Sequence, residues 1–415
     1  MSRLKDRQKT RYRCAAAVVI AVAIAGALSI VSVGATTPIA PIDLGTLGGA
    51  SSSAKGLNDT GMVIGYSEIP AGGFHIFAWT ESTGMVDIGS LGGTSTDLSV
   101  ATFTRTANHA LNDSGVVVGY SETADGYVHA FRWTLGEGMT DLGTLGGDSS
   151  RSVAVNANGM IVGQSSTTHD AYNHAFAWTP KGGMVDLGTL DGNTVATAVN
   201  IHGMVVGRSG SRAFVWTKST GMVDIGTLEE DSAAAEFVTD SGLVVGSIRT
   251  AAGHGRAFVW SSSSGTVDIG TLGGSTVRLI DVNANGVAVG LGSLPNGEAH
   301  AFVWTAERGI VDLGPIIVRA INDYGVILGG DDSGFFTLTP TGVRTDLGGP
   351  GLPIVMNNTG YAAGDGRPPD EPYYAALWPP PRPQTIADCQ KGGWLTFGFK
   401  NQGLCIQFVN KPSKK

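Results

Sequence analysis

Reactive side chains recur at one regular place in this 415-residue chain, three residues ahead of each Asn-x-x-Gly turn or its equivalent. The column reads Lys55, His109, Val153, Thr197, Glu236, Ile280, Arg319 and Ile354. Ionisable groups facing one another across a narrow space can exchange protons with a substrate, so His109, Glu236 and Arg319 together would suit a hydrolase or lyase. The plainer reading is that Lys55, His109, Glu236 and Arg319 face water and bind a ligand without reacting. These four are the candidate ligand-binding residues, and none is assigned a catalytic role.

The turns that set this column are the second of two markers of a repeat. The first is a tryptophan at Trp79, Trp133, Trp178, Trp216, Trp260, Trp304 and Trp378, with Leu338 standing in once. The turns begin at Asn58, Asn112, Asn156, Asn200, Asn283, Asn322 and Asn357, and Thr239-Asp240-Ser241-Gly242 is the divergent member. Self-similarity at this period marks a repeat fold. Each unit contains four short runs of strand character separated by Gly, Asn and Ser, as in Ser152 to Val155, Met160 to Gln164, His174 to Thr179 and Met184 to Leu187. Four antiparallel strands per unit describe a propeller blade, and the expected fold class is an all-β β-propeller of eight blades, with seven as the alternative.

The two ends of the array are out of phase. The last unit runs through Trp378 into Pro379-Pro380-Pro381 without its outermost strand, while an orphan copy of that strand, Ile42-Asp43-Leu44-Gly45-Thr46-Leu47-Gly48-Gly49, stands ahead of the first unit. The N-terminal strand is therefore expected to complete the last blade and leave no exposed edge. In the second unit an insertion, roughly Thr94 to Asn108 with Arg105, stretches the tryptophan spacing to 54 residues and is either a tolerated surface loop or a binding loop.

One-per-blade polar residues serve packing before chemistry. The repeated His75, His129, His174 and His300, replaced by Arg212 and Arg256 in two units, are expected to bond an adjacent blade. The same holds for Asp87, Asp141, Asp186, Asp224, Asp268, Asp312 and Asp346. The sequence has no Gly-x-Ser-x-Gly elbow, no phosphate loop and no His-Glu-x-x-His. Asp331-Asp332-Ser333-Gly334 and Asp191-Gly192-Asn193 lack a full calcium ligand set and read as turns. No metal and no cofactor is expected.

The His-Ala-Phe segments at His129, His174 and His300, with their Trp-Thr and Asp-Leu-Gly-Thr-Leu-Gly-Gly companions, resemble the HAF repeats of bacterial extracellular repeat proteins over about residues 42 to 378. That resemblance implies a secreted or surface-associated protein and carries no family-wide catalytic residues. Departures are His75-Ile76-Phe77, the two Arg-Ala-Phe units, Glu229-Glu230 in place of Gly-Gly, and the weak seventh and eighth copies.

Export is also read from the residues themselves. Six basic residues between Arg3 and Arg13 precede an apolar run from Cys14 to Gly34, and Val33-Gly34-Ala35 offers small residues for cleavage, so residues 1–35 read as a signal peptide. An uncleaved anchor is the alternative, because the run is long enough to span a bilayer. Without the leader, which holds six basic and one acidic residue, the formal charge moves from −8 to −13. That balance disfavours nucleic acid and anionic membranes as partners. Domains are assigned as 36–378 propeller, 379–383 proline-rich linker and 384–415 a small two-cysteine segment. In an exported compartment Cys389 and Cys405 are expected to form a disulfide contributing about 3 kcal/mol through chain entropy. The segment resembles a short two-cysteine C-terminal element of varied bacterial secreted proteins. Its aromatics read as a mini-core, with a docking patch as the alternative.

The expected function is a secreted, non-catalytic, monomeric scaffold that binds a protein or glycan at the envelope or outside the cell, with no integral membrane segment after cleavage. The alternative is a secreted propeller hydrolase or lyase with its site at the channel mouth.

Overall fold

The computed structural model describes residues 31–32, 40–98, 108–168, 171–226, 232–367, 372–380, 389–390, 394 and 401–410. Eight four-stranded antiparallel blades follow one another along the chain, at residues 52–87, 92–141, 146–188, 194–224, 232–268, 277–314, 317–346 and 351–378. Blade 8 draws only three strands from its own segment. Its fourth and outermost is Ile42–Asp43, which pairs antiparallel with the third strand Tyr374–Trp378 through Ile42–Leu377 and Asp43–Ala376. The amide of Leu44 extends that ladder to the Ala375 carbonyl at 2.9 Å. The eight-blade expectation and its N-terminal closure both hold.

Within a blade the third strand carries the core. Phe77, Phe131, Phe176, Phe214, Phe258, Phe302 and Phe336, one per blade in blades 1–7, are all fully buried. In blades 1, 2, 4, 5, 6 and 7 the ring lies against the glycine of the strand before it. At Gly246 a Cβ would fall 2.6 Å from the Phe258 ring and 2.3 Å from the Ala234 carbonyl, so glycine is required by close approach rather than by backbone freedom.

The innermost strands share an irregularity. Seven of the eight have a one-residue register shift, which leaves Lys55, Val153, Thr197, Glu236, Ile280, Arg319 and Ile354 as the extra residue. The reactive column of the sequence is thus the column of β-bulges, where a residue drops out of the ladder and the strand bends. Blade 2 differs: its inner strand Gly92–Leu98 stops, and a short 3-10 turn at Asn108–Ala110 brings His109 to the equivalent place. Arg105 lies outside the described residues.

The asparagines bind the ring together. Asn58 Oδ1 accepts from the Met62 amide at 2.8 Å and closes its own turn, while Asn58 Nδ2 donates to the Asn112 carbonyl at 2.9 Å in the next blade. The relay continues from Asn112 to Asn156, Asn156 to Asn200, Asn200 to Thr239, Asn283 to Asn322 and Asn322 to Asn357. It closes when Asn357 Nδ2 donates to the Asn58 carbonyl at 2.9 Å. The one side chain in the ring without a donor for this link is Thr239, whose hydroxyl accepts from the Leu243 amide at 3.1 Å. All eight residues are buried.

The repeated histidines correct one expectation. His75, His129, His174 and His300 pair through Nδ1 with Asp87, Asp141, Asp186 and Asp312 at 2.7–2.9 Å, in their own blade and not the next. Arg212 pairs likewise with Asp224 at 2.8 Å, and Arg256 with Asp268. The third and outer strands are antiparallel neighbours, so their ends meet before any other blade can reach them.

In the tail, Cys389 and Cys405 form the disulfide, both buried, with the helix Gln402–Val409 carrying Cys405. Trp394 packs beside the disulfide with Ile406 and Val409, and also against the Trp378 cluster of blades 7 and 8. Of the tail's aromatics Trp394 thus belongs to the mini-core, and Phe397 and Phe399 lie outside the described residues. Most of the linker lies outside the described residues. No helix among the described residues is long and apolar enough to cross a membrane.

Asn112→Ala removes a link and strands two turn amides, and is expected to cost about 2–3 kcal/mol in urea unfolding. Thr239→Asn supplies the missing donor and is expected to stabilise the chain by about 1 kcal/mol in the same measurement.

Candidate functional site at the channel mouth

Immediately after each ring asparagine the chain turns past the opening of the central channel. Asp59, Asp113, Asp323 and Asn358 occupy this position in blades 1, 2, 7 and 8 and line the mouth, with His109, Phe237 and Asp281 below them. The mouth encloses about 260 Å³ and has no lysine or arginine among its lining residues. The acidic side chains are held by neighbouring blades. Asp113 Oδ1 accepts from the Asp59 amide at 2.9 Å, and Asp323 Oδ1 from the Ala284 amide at 2.8 Å. Asp59 Oδ1 accepts from the Asn358 amide at 2.8 Å, and the Asn358 side-chain amide donates to both Asp59 and Asp323 at 2.8 Å.

Asp281 sits one residue past the bulge of blade 6. Its Oδ1 accepts from the Val282 amide and its Oδ2 from the Ile321 amide of blade 7, each at 2.9 Å. Enclosure by protein pushes this carboxyl up to about 7, and the negative Asp323 adds to the rise, while the two amides pull against it. His109 reaches across from blade 2 to the ring of Phe237 of blade 5, the two tilted by 51° with centroids 5.6 Å apart. Enclosure lowers the pKa of its imidazole, which keeps it neutral to lower pH than a free histidine. Both residues keep some contact with water yet have protein on every side, as groups in a narrow lumen must.

Of the four residues singled out from the sequence, only His109 lines this mouth. Lys55 lies 3.7 Å from Asp365 of blade 8, which also accepts from the Ser53 hydroxyl at 2.6 Å. Glu236 accepts a short hydrogen bond from Ser247 of its own blade, and burial lifts it to about 7 against the pull of Ser247 and Arg278. Arg319 occupies the bulge of blade 7. The four are dispersed around the inner strands, since a bulge side chain is turned toward its blade neighbours as much as toward the lumen. The reading missed Asp59, Asp113, Asp323 and Asp281. The signal for the first three is Asn-Asp in the turn, repeated at residues 58, 112 and 322. Asp281 carries none, because the bulge shifts the phase of the strand by one residue.

A second buried network stands where the blade 2 insertion begins. Tyr66 and Tyr120 both donate to Asp97, Tyr120 at 2.7 Å, and the Arg151 guanidinium lies 4.6 Å above the Tyr120 ring. Burial and the Asp97 carboxylate raise both phenols, Tyr120 to about 12. No group of three or more His, Cys, Asp or Glu among the described residues is arranged to hold a metal ion.

No protein-family model and no curated protein sequence matches the chain. Solved structures do. An acylaminoacyl peptidase of Pyrococcus horikoshii superposes with a TM-score of 0.45 at 8% identity, covering 82% of this chain and 53% of the peptidase. The β-propeller domain of the Trilobed protease from Pyrococcus furiosus gives 0.44 at 6%, covering 80% and 94%. A puromycin-hydrolyzing peptidase of Mycobacterium tuberculosis gives 0.44 at 13%, covering 84% and 62%. The chain thus spans about half the length of the first and under two thirds of the third. At these identities the likeness is one of fold.

The expectation of a non-catalytic scaffold that only binds a protein or glycan is corrected here. Peptidases are among the propellers this chain resembles. At its mouth an imidazole of lowered pKa and a carboxyl raised to about 7 share one opening.

The raised carboxyls have a consequence for stability. Glu236 and Asp281 hold protons in the folded chain at pH values where the unfolded chain, with carboxyls near about 4, has lost them. Their stabilisation is complete below about pH 4 and is lost as pH rises through about 7. His109 acts in the opposite sense, losing stability as pH falls below about 6.5. Urea midpoints measured from pH 5 to pH 8 are expected to fall less steeply in Asp281→Asn and Glu236→Gln than in the parent.

Proposed function

We propose that this chain is an exported propeller hydrolase whose site is the mouth of the channel on the asparagine-ring face. The observation that carries this reading is the placement of His109 and Asp281 around one acidic opening, with opposite pKa displacements. Near neutral pH Asp281 retains a proton to give to a leaving group, and the imidazole of His109 remains free to take one from water. Two groups whose environments drive their pKa values in these directions are an acid and a base at the same pH. Asp59, Asp113 and Asp323 surround them with negative charge, which favours developing positive charge and substrates that carry it. The propeller peptidases to which the chain is similar support hydrolysis as the reaction class.

Export rests on the basic n-region, the apolar run and the small residues before Thr36, and the HAF-like repeats agree with it. The two-residue strand Val31–Ser32, which pairs parallel with Val343–Asp346 on the edge of blade 7, would leave with the leader, and blade 7 would keep its four strands. N-terminal sequencing of material recovered outside the cytoplasm is expected to begin at Thr36. A start at Met1 would make the leader an anchor.

Chromogenic esters, peptide anilides and glycosides provide the direct test of hydrolysis. At least one class is expected to be cleaved, with kcat/KM reduced about 100-fold or more in His109→Ala and in Asp281→Asn. The limb of the pH–rate profile near pH 7 is expected to vanish in Asp281→Asn. Undiminished turnover in both folded variants, or no cleavage of any class, would remove this reading.

A further inference from the structure

Four aromatic side chains among the described residues stand out as exposed large hydrophobics: Phe74, Tyr127, Tyr172 and Tyr373, each 46–58% exposed. They occupy one structural position. Each lies one or two residues ahead of the histidine position, where the chain enters the third strand from the second. Their blades are 1, 2, 3 and 8, which are consecutive around the closed ring. The corresponding hairpins of blades 4, 5 and 6 carry Gly210-Ser211, Gly253-His254-Gly255 and Glu298-Ala299 instead. Half of one face therefore bears an arc of single rings, one per blade, on the side of the disc opposite the asparagine ring and the mouth.

An arc of this kind differs from a protein-docking patch. Such a patch is contiguous and apolar at its centre, whereas these rings are separated by whole sheets with polar surface between them. Close to two of them is a polar pocket of about 230 Å³, lined by Ser149, Ser150, Arg151, Gln164, Ser165 and Asn173. Its lining is next in the chain to both rings, since Ser149 pairs with Val128, which follows Tyr127, and Asn173 follows Tyr172. Hydroxyls, an amide pair and a guanidinium fixed over Tyr120 offer donors and acceptors in several directions at close range. At the far end of the arc the Arg367 guanidinium lies 5.1 Å over one face of the Tyr373 ring. Flat apolar platforms alternating with hydroxyl-rich hydrogen-bonding surface match a ligand that alternates C–H faces with hydroxyl edges.

We propose that the arc Tyr373–Phe74–Tyr127–Tyr172 is a binding surface for a neutral polysaccharide chain, whose sugar faces stack on successive rings while one residue enters the Arg151–Gln164–Asn173 pocket. This surface is independent of the reaction at the mouth, and it gives the hydrolase a means of staying on a polymer.

Affinity electrophoresis of the full chain through gels containing xyloglucan, galactomannan or hydroxyethylcellulose, with pull-downs on cellulose and chitin, tests this surface. At least one polymer is expected to retard or capture the protein. Each of Phe74→Ala, Tyr127→Ala, Tyr172→Ala and Gln164→Ala is expected to lower the association constant about threefold to tenfold, and the four-ring variant to abolish it. Val223→Ala, an exposed apolar side chain on the outer strand of blade 4, and His109→Ala are expected to leave retardation unchanged. Absence of interaction with every polymer, or full retardation of the four-ring variant, would overturn the proposal. Loss of retardation in His109→Ala alone would place polymer binding at the mouth and overturn it as well.

Discussion

The hydrogen bond from an asparagine side chain to the backbone of the next blade is the constraint on which the rest of the structure depends. Each asparagine does two things at once: its carbonyl oxygen closes its own hairpin, and its amide nitrogen reaches the equivalent carbonyl one blade further on. A hydrophobic interface between blades allows sliding, because apolar contact is not directional. A buried hydrogen bond does not, since an unmade donor or acceptor there is costly. The ring therefore sets how far each blade leans on the next, and seven such links, interrupted only at Thr239, close where the last asparagine finds the first.

That closure determines what the channel can hold. The turn residue after each asparagine is delivered to the rim, where Asp59, Asp113, Asp323 and Asn358 are fixed by amides of the adjoining blades. Beneath the rim the lumen is narrow enough that the ring of His109 from blade 2 comes within 5.6 Å, centroid to centroid, of Phe237 from blade 5. Narrowness shifts the titration of the groups inside. Carboxyls at Glu236 and Asp281 hold their protons to near neutrality and His109 loses its own early, all for the same reason, the poor solvation of charge in a protein-walled space.

The opposite face is built under a different constraint. Hairpins there only have to return the chain, so their length and composition are free to differ between blades, and the chain places aromatic residues on four consecutive blades and small or polar ones on the next three. The outer His–Asp and Arg–Asp pairs are more uniform. Their partners are brought together by antiparallel pairing within a blade, and the aspartate also accepts from the glycine amide two residues on, as at Asp141 and Gly143.

The sequence alone determined the propeller. The tryptophan and asparagine columns count eight, and the orphan strand at Ile42 matches the strand that blade 8 lacks, because strand period and turn chemistry are local properties that a chain displays residue by residue. It also determined the Cys389–Cys405 pair, the two cysteines outside the N-terminal apolar run. Only the tertiary structure decided which side chains meet. The column containing Lys55, Glu236 and Arg319 was legible as a column, yet these three are bulge residues, and Lys55 and Glu236 meet Asp365 and Ser247. Asp281, one residue later, reaches the lumen in their place. A one-residue shift in a strand reverses the side on which a residue lies, and nothing in the order of amino acids announces it. The histidines were likewise legible as a repeat, but their partners follow from which strand ends abut, and that is a matter of packing.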